Sequence, residues 1–228
     1  DAPAMTDEAI DIIVEAWTQD RVSHQGKFWR IEDAMLRPKP FQQPHPPIHM
    51  VATHKPTVEL VGSRGWPVAM HFTPNSELPD SIRTYRAAVP AAAPSQGPFR
   101  PRVVLCRELV VADDPEEARR EAAVGLQGFW HLSALLPPPP PATFSDRRLK
   151  ELTTRVLGGK TFDELCESGI ALVGTPDEVA TKVRDLERMG VDTLLVLASF
   201  GTLTHEQTCR SMEAFAGAAI SRQPSAVS

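Results

Sequence analysis

The sequence predicts an α/β fold in which helices alternate with the strands of a parallel sheet. The first observation is the segment TLLVL (193–197), which lacks polar alternation and is typical of a strand covered on both faces. The second is the helix that precedes it, with Thr175 as N-cap, Pro176 at the first position, Glu178 completing a capping box and Gly190 at the end. The third is the repetition of this strand and helix alternation along the chain.

The amino-terminal part contains a helix and an excursion before the first strand of the sheet. Apolar residues at helical spacing predict a helix over 6–19 with Thr6 as its cap. The stretch around Gly26 is interpreted as a short hairpin or an irregular excursion. A proline-rich segment at 38–47 then leads, in extended form, into a strand at 48–53.

Strands and helices alternate through the rest of the chain. The predicted order is helix 56–64, strand 66–72, helix 76–89, strand 102–112 and helix 115–135. Residues 136–168 are predicted to form an irregular insertion or lid region, with a helix near 145–156. After strand 193–197, Thr204 and Gln207 form a second capping box at the start of the final helix.

The number of strands is small for a closed barrel. An eight-stranded (β/α) barrel needs roughly 250 residues and eight strand and helix units, whereas the sequence shows four units in one domain over residues 1–228. Either the sheet is open, or the chain lacks a first half. The second interpretation is favoured because the chain starts on a helix and four barrel strands would leave two unpaired apolar edges.

Composition excludes several classes of function. The net charge is -5 and no basic run is present, which argues against nucleic-acid binding. No apolar segment approaches the roughly 18 residues of a membrane span, and no signal peptide is apparent at the start. The three cysteines are far apart without metal-ligand spacing, so we expect free thiols, no metal site and a reducing cytoplasm.

Two long motifs resemble the bacterial luciferase-like family of flavin-dependent monooxygenases and oxidoreductases. The first is the turn containing Gly26 and Phe28 with the proline-rich segment PKPFQQPHPPI at 38–48. The second is the carboxy-terminal stretch at 174–216, which resembles the last βα units of the same family. The resemblance covers nearly the whole chain apart from 136–168. It implies a TIM-type (β/α)8 barrel of which only about the last four βα units are present.

The resemblance also implies an activity. We expect an FMN-dependent monooxygenase that uses reduced FMN and O2 to oxidise a small organic substrate, with a flavin reductase as the source of reduced FMN. A homodimer is expected as well. One alternative is an oxidoreductase of the same fold that uses the deazaflavin F420. Another is a non-catalytic flavin-binding or assembly protein, since the first barrel strands carry part of the family's site. The substrate stays open.

The turn after the strand at 48–53 contains the residues expected to contact the flavin phosphate. The resemblance assigns cofactor contacts here to Thr53, His54, Lys55 and Thr57. Helix-terminal amides, hydroxyl groups and a cation suit a phosphate. Thr53 and His54 stand where family members more often have acidic and serine residues, so a plain capped loop is the alternative.

Two further strand ends supply the remaining candidates. Cofactor contacts are expected at His71, Ser199, Phe200 and Gly201, and contacts at the substrate rim at Phe72 and His205. The alternatives are a hydrogen-bonded loop histidine for His71 and a helix-start role for His205. No catalytic residue is identified, because in flavoenzymes the cofactor carries the chemistry and the protein positions it.

Overall fold

The computed structural model describes residues 2–93, 99–135 and 162–220. The strands are β1 (Val22–Gln25), β2 (Arg30–Ala34), β3 (Met50–Val51), β4 (Val68–Met70), β5 (Val103–Val111), β6 (Ala171–Gly174) and β7 (Thr193–Leu197). The helices are α1 (Ala2–Thr18), α2 (Lys55–Ser63), α3 (Leu78–Ala88), α4 (Pro115–Leu135), α5 (Phe162–Glu167), α6 (Pro176–Met189) and α7 (His205–Phe215). A π-helical turn, Ala216–Ile220, extends α7.

The nine-residue strand β5 is the centre of a five-stranded parallel sheet. Val104 pairs with Ala69 of β4 and with Thr193 of β7, so these two strands lie on opposite sides of β5. The carboxyl half of β5, over 108–111, pairs with β6 on the side where β4 has ended. β3 continues the sheet beyond β4. The predicted parallel α/β fold is confirmed.

The two faces of the sheet are covered differently. Met70, Leu105 and Leu194 occupy one row of the ladder and face a core shared with α2, α3, α6 and α7. The alternate positions point to the other face. There Val51 is 66% exposed and Leu195 is 50% exposed. We call this side the open face; it is formed by Val51, Ala69, His71, Cys106, Glu108 and Leu195.

Helix α4 covers the same side of β5 farther towards its carboxyl end. Val110 packs there with Ala118 and Ala122 of α4. Glu108 therefore lies at the boundary between the open face and the part covered by α4. This position explains how its side chain is fully buried while β3 and β7 still expose apolar side chains.

Both predicted capping boxes are confirmed. The side chain of Thr175 accepts a hydrogen bond from the Glu178 amide, and Gly190 ends α6 in the left-handed region at φ 100°. The Thr204 and Gln207 pair starts α7 in the same way. The segment around Gly26 is an antiparallel hairpin, β1–β2.

Three local predictions are wrong. The strand at 193–197 is not covered on both faces, because Leu195 is 50% and Val196 is 36% exposed. Thr6 is not a cap, because α1 begins at Ala2 and continues through it; a proline in the first turn is compatible with this earlier start. Strand β6 was not expected before α6. Its four residues are all buried, and it forms by adding to the carboxyl half of β5. Of the predicted insertion at 136–168, residues 136–161, with the helix expected near 145–156, lie outside the described residues.

The proline-rich motif fixes the amino-terminal helix. Lys39 Nζ donates hydrogen bonds to the carbonyl oxygens of Ala16 (2.7 Å) and Gln19 at the end of α1. A cation at this helix end satisfies carbonyl groups that have no helical partner. Among the described residues, no helix combines the length and the apolar character that a membrane crossing needs.

Tyr85 supplies a titratable group inside the main core. Its hydroxyl donates a hydrogen bond to the Trp66 carbonyl oxygen at 2.8 Å, and the residue is almost completely buried. Burial raises the pKa of Tyr85 to about 12. An unfolded tyrosine has a pKa of about 10, so between these values the unfolded chain loses the proton first.

We expect the free energy of unfolding to fall as the pH rises from about 10 towards 12, because only the folded state retains the Tyr85 proton. Tyr85→Phe removes this contribution. Burial lowers the pKa of Arg107 to about 10, so Arg107 makes the free energy of unfolding rise with pH over the same range. This contribution is present in both proteins. Subtracting the Tyr85→Phe curve from the wild-type curve therefore leaves the contribution of Tyr85. Urea unfolding at a series of pH values measures both. Parallel curves would contradict the assignment.

Candidate functional site

His71 and Glu108 come together where β4 ends against β5. His71 follows β4 on the open face, and its Nε2 lies 3.1 Å from Glu108 Oε1. The Glu108 side chain has no solvent exposure, whereas the His71 side chain is 23% exposed. A buried carboxylate thus contacts an imidazole that solvent or a ligand can reach. This pair is the centre of the candidate site.

Arg107 holds the loop that follows β4. It is fully buried, and its guanidinium donates hydrogen bonds to the Thr73 carbonyl oxygen (2.6 Å) and to Asn75 Oδ1 (3.3 Å). The backbone amide of Asn75 donates a hydrogen bond to the Ser168 carbonyl oxygen at 2.8 Å. Burial lowers the pKa of Arg107 to about 10, so it remains charged at neutral pH. Arg107 therefore fixes the loop on which His71 lies.

Phe72 fixes the orientation of the His71 ring. The two rings stack with centroids 3.5 Å apart and an angle of 24° between their planes. Phe72 has φ 58°, a left-handed conformation that is uncommon for an aromatic residue. Its side chain packs with Leu165 of α5 and with Ile170. Such backbone strain is often found at functional sites.

Arg107 and Glu108 were not among the residues singled out from the sequence. The available signal was two adjacent charges inside VVLCRELVV, an otherwise apolar strand. Burying a charge is costly unless it is paired, so such residues mark a structural or functional requirement. Cys106 lies beside them, and burial, with the Glu108 charge, raises the pKa of its thiol. A protonated thiol is a weak nucleophile.

The predicted phosphate-binding residues surround the start of α2. Thr53 is half-buried and lies two residues after Val51. Since Val51 pairs with Ala69, Thr53 lies beside His71. His54 is the N-cap residue in extended conformation, and its carbonyl oxygen accepts the Thr57 amide at 3.0 Å. Lys55 is exposed at the first helical position. The structure thus brings Thr53 and His71 to one edge of the sheet; phosphate contact stays a prediction.

The end of β7 reaches the same edge, because Leu197 pairs with Glu108. Ser199 and Gly201 are exposed there. Phe200 is instead buried in the core under α4, where its ring crowds Gly125.

His205, predicted at the substrate rim, is the first residue of α7. Its Nε2 lies 3.5 Å from Cys209 Sγ one turn later. The side chain is exposed, and its contact is within its own helix. A role in substrate binding stays a prediction for this residue.

Gly169 allows the Arg107 loop to close. Its φ is 74°, and a Cβ at this position would lie 2.1 Å from Asn75 Nδ2. Gly65 has a similar φ of 68°, but a Cβ there would meet only Ala93 Cβ, at 3.5 Å. Replacing each glycine by alanine therefore distinguishes the cost of backbone strain, present at both positions, from the cost of displacing Asn75, present only at Gly169.

We expect Gly65→Ala to lower the free energy of unfolding by about 1–2 kcal/mol, the typical cost of a left-handed non-glycine residue. Gly169→Ala should cost more, because it also displaces Asn75 from Arg107. Urea unfolding of both variants measures the difference. Equal losses would show that the contact between Asn75 and Arg107 contributes nothing to stability.

The chain is similar in sequence to several known proteins. The family model for luciferase-like monooxygenases matches residues 1–193. An FMNH2-dependent dimethylsulfone monooxygenase of Pseudomonas putida is 24% identical over 201 residues, 83% of this chain and 52% of that protein. The oxygenase component of a flavin-dependent trigonelline monooxygenase of Acinetobacter baylyi is 25% identical over 195 residues, 81% of this chain and 51% of that protein.

Solved structures show the same fold. The oxygenating constituent of 3,6-diketocamphane monooxygenase from Pseudomonas putida, in complex with FMN, superposes with a TM-score of 0.71 at 19% identity, covering 98% of this chain and 64% of that one. The F420-dependent tetrahydromethanopterin reductase of Methanopyrus kandleri gives 0.62 at 15% identity, with 95% and 62% covered.

The chain spans about half the length of the two relatives that it matches. The family match, in contrast, covers most of the chain, from the amino-terminal helix to the start of β7. The family inferred from the two sequence motifs is therefore confirmed. This chain belongs to the luciferase-like monooxygenase family.

Proposed function

We propose that this chain forms part of a flavin-dependent monooxygenase that uses reduced FMN and O2 to oxidise a small organic substrate. The observation that carries the proposal is the polar pair His71 and Glu108 at the carboxyl end of the sheet, beside an exposed apolar surface. Ligands of parallel α/β folds bind at this end of the strands. The two flavin-dependent relatives supply the cofactor class.

The residues present fit two parts of FMN. The start of α2 offers the Lys55 cation and the Thr57 hydroxyl, which suit the phosphate. The open face offers exposed Val51 and Leu195, which suit the apolar surface of an aromatic ring system. Reduced FMN would supply the electrons for oxygen activation, while these residues would bind it and exclude water.

Further parts of the proposal follow from the family. We expect a separate flavin reductase to supply reduced FMN, and a homodimer, the common state of soluble oligomers. The three cysteines are free thiols, which supports a reducing cytoplasm. Light scattering tests the dimer; a stable monomer would contradict it.

A second candidate is an F420-dependent oxidoreductase of the same fold. The similarity to the F420-dependent reductase favours it, although that similarity shows the fold alone. Titration of the chain with FMN and with F420 distinguishes the two, because the proposal requires tighter binding of FMN. A chain that binds flavin but does not turn over would correspond to the non-catalytic alternative.

We expect FMN to bind saturably and Thr57→Ala to weaken that binding by about tenfold, the typical effect of losing one hydrogen bond to a charged group. Riboflavin lacks the phosphate, so its affinity should not change in this variant. Quenching of flavin fluorescence measures both affinities. Thr181→Ala, an exposed threonine in α6, is the matched control and should change neither.

Two results would count against the proposal. An equal loss of affinity for FMN and riboflavin in Thr57→Ala would show that α2 does not bind the phosphate. A folded wild-type chain that binds neither FMN nor F420 would contradict flavin binding by this chain altogether. Circular dichroism, recorded on each variant, confirms that the chain is folded.

A further inference from the structure

We propose that His71 accepts a proton from the substrate. Glu108 positions the His71 ring and stabilises its protonated form. The inference deepens the proposed function, because it names a chemical class of substrate and depends on oxidation taking place at the same site. It starts from the 3.1 Å contact between His71 Nε2 and Glu108 Oε1.

The contact defines which nitrogen of His71 carries hydrogen. A carboxylate only accepts hydrogen bonds, so Nε2 must be the donor. In the neutral imidazole, Nδ1 then carries a lone pair. Within the described part of the chain, Nδ1 makes no hydrogen bond, and the ring is partly exposed on the open face. His71 is thereby prepared to accept a proton at Nδ1.

Two contacts keep the ring in place for proton transfer. Phe72 stacks on it, and Arg107 binds the carbonyl oxygen of Thr73, two residues after His71. A general base works only when it is held within hydrogen-bonding reach of the proton. A histidine that was merely part of a mobile surface loop would need neither contact.

The surroundings of Glu108 suit a counter-ion for protonated His71. The side chain is fully buried, Oε1 accepts one hydrogen bond from His71, and Oε2 has no hydrogen-bond partner among the described residues. A buried carboxylate with one donor is costly to keep. Protonation of His71 places a positive charge beside it and offsets that cost. Burial and the Glu108 charge raise the pKa of the Cys106 thiol, and the same charge opposes the lowering of the Arg107 pKa by burial.

The surroundings indicate the class of substrate. Val51 and Leu195 present exposed apolar surface on the same face, whereas Arg107 lies on the opposite face of β5, with Thr73 and Asn75. A neutral apolar molecule with a weakly acidic hydroxyl group, such as a phenol or an enol, fits this arrangement.

The proposed step is a proton transfer without a change of oxidation state. The O–H bond of the substrate breaks, its electron pair stays on the oxygen, and a new N–H bond forms at Nδ1 of His71. The resulting imidazolium is neutralised by Glu108 through Nε2–H. The ionised substrate is more electron-rich and is therefore more easily oxidised.

The first test determines the His71 tautomer in the chain labelled with nitrogen-15 histidine, above neutral pH, where an ordinary imidazole is uncharged. We expect the Nε2–H form in the wild type. Glu108→Gln retains an acceptor oxygen and should keep this tautomer, whereas Glu108→Leu should lose the preference. An Nδ1–H form in the wild type, or a tautomer unchanged in Glu108→Leu, would overturn the inference.

The second test uses meta-nitrophenol, whose ionised form absorbs visible light. Just above neutral pH the free phenol is mostly neutral and an ordinary imidazole is uncharged, so a visible band that saturates with chain concentration reports proton transfer in the complex. We expect this band in the wild type and in His49→Gln, a control at the opposite end of β3. Equilibrium dialysis measures total binding separately.

Two variants then distinguish the role of His71 as proton acceptor from the role of the Glu108 charge. His71→Gln should bind the phenol in its neutral form. Glu108→Gln should lower the ratio of ionised to neutral bound phenol by about tenfold, since the imidazolium loses a charged partner. No binding by the folded wild type, or an unchanged band in His71→Gln, would contradict the inference. Neither test contains flavin, so failure here and failure to bind FMN are distinguishable.

Discussion

The burial of two adjacent charges in the central strand is the constraint on which the rest of the structure depends. Side chains alternate along β5, so Arg107 and Glu108 point to opposite faces and need separate partners. Arg107 finds carbonyl and amide oxygens in the loop after β4, and Glu108 finds His71. The same loop therefore serves both charges, which ties the strand ends to each other.

The sheet has a structural side and a chemical side. On one side, rows such as Met70 and Leu105 pack against four helices and supply the apolar burial that stabilises the domain. On the other side, α4 covers only the carboxyl part of β5, and the apolar side chains of Val51 and Leu195 stay accessible. The candidate site lies at the boundary of these two regions.

Much of the fold was predictable, because the signals are local. The capping boxes at Thr175 and Thr204 depend on residues three positions apart, and both form as predicted. Strand β6 was missed because four apolar residues before a helix become a strand only through pairing with β5, a contact distant in sequence. Thr6 was misassigned because a good cap residue is also tolerated inside a helix.

The site was predictable only in part. The expected positions at the ends of β3, β4 and β7 do reach one edge of the sheet, since parallel strands place their carboxyl ends together. Phe200 was assigned a cofactor contact, and the structure places its ring in the core under α4, because the direction of a side chain after a strand depends on the loop geometry. The partner of His71 is distant in the sequence, and only the folded sheet reveals it.

Helices α4 and α5 connect the candidate site to the surface of the sheet. Helix α4 packs on Val110, two residues from Glu108, and Leu165 of α5 packs with Phe72. Neither helix takes part in the strand pairing of the sheet. A substitution in either helix can therefore shift Glu108 or Phe72 while the pairing of the strands stays as it is.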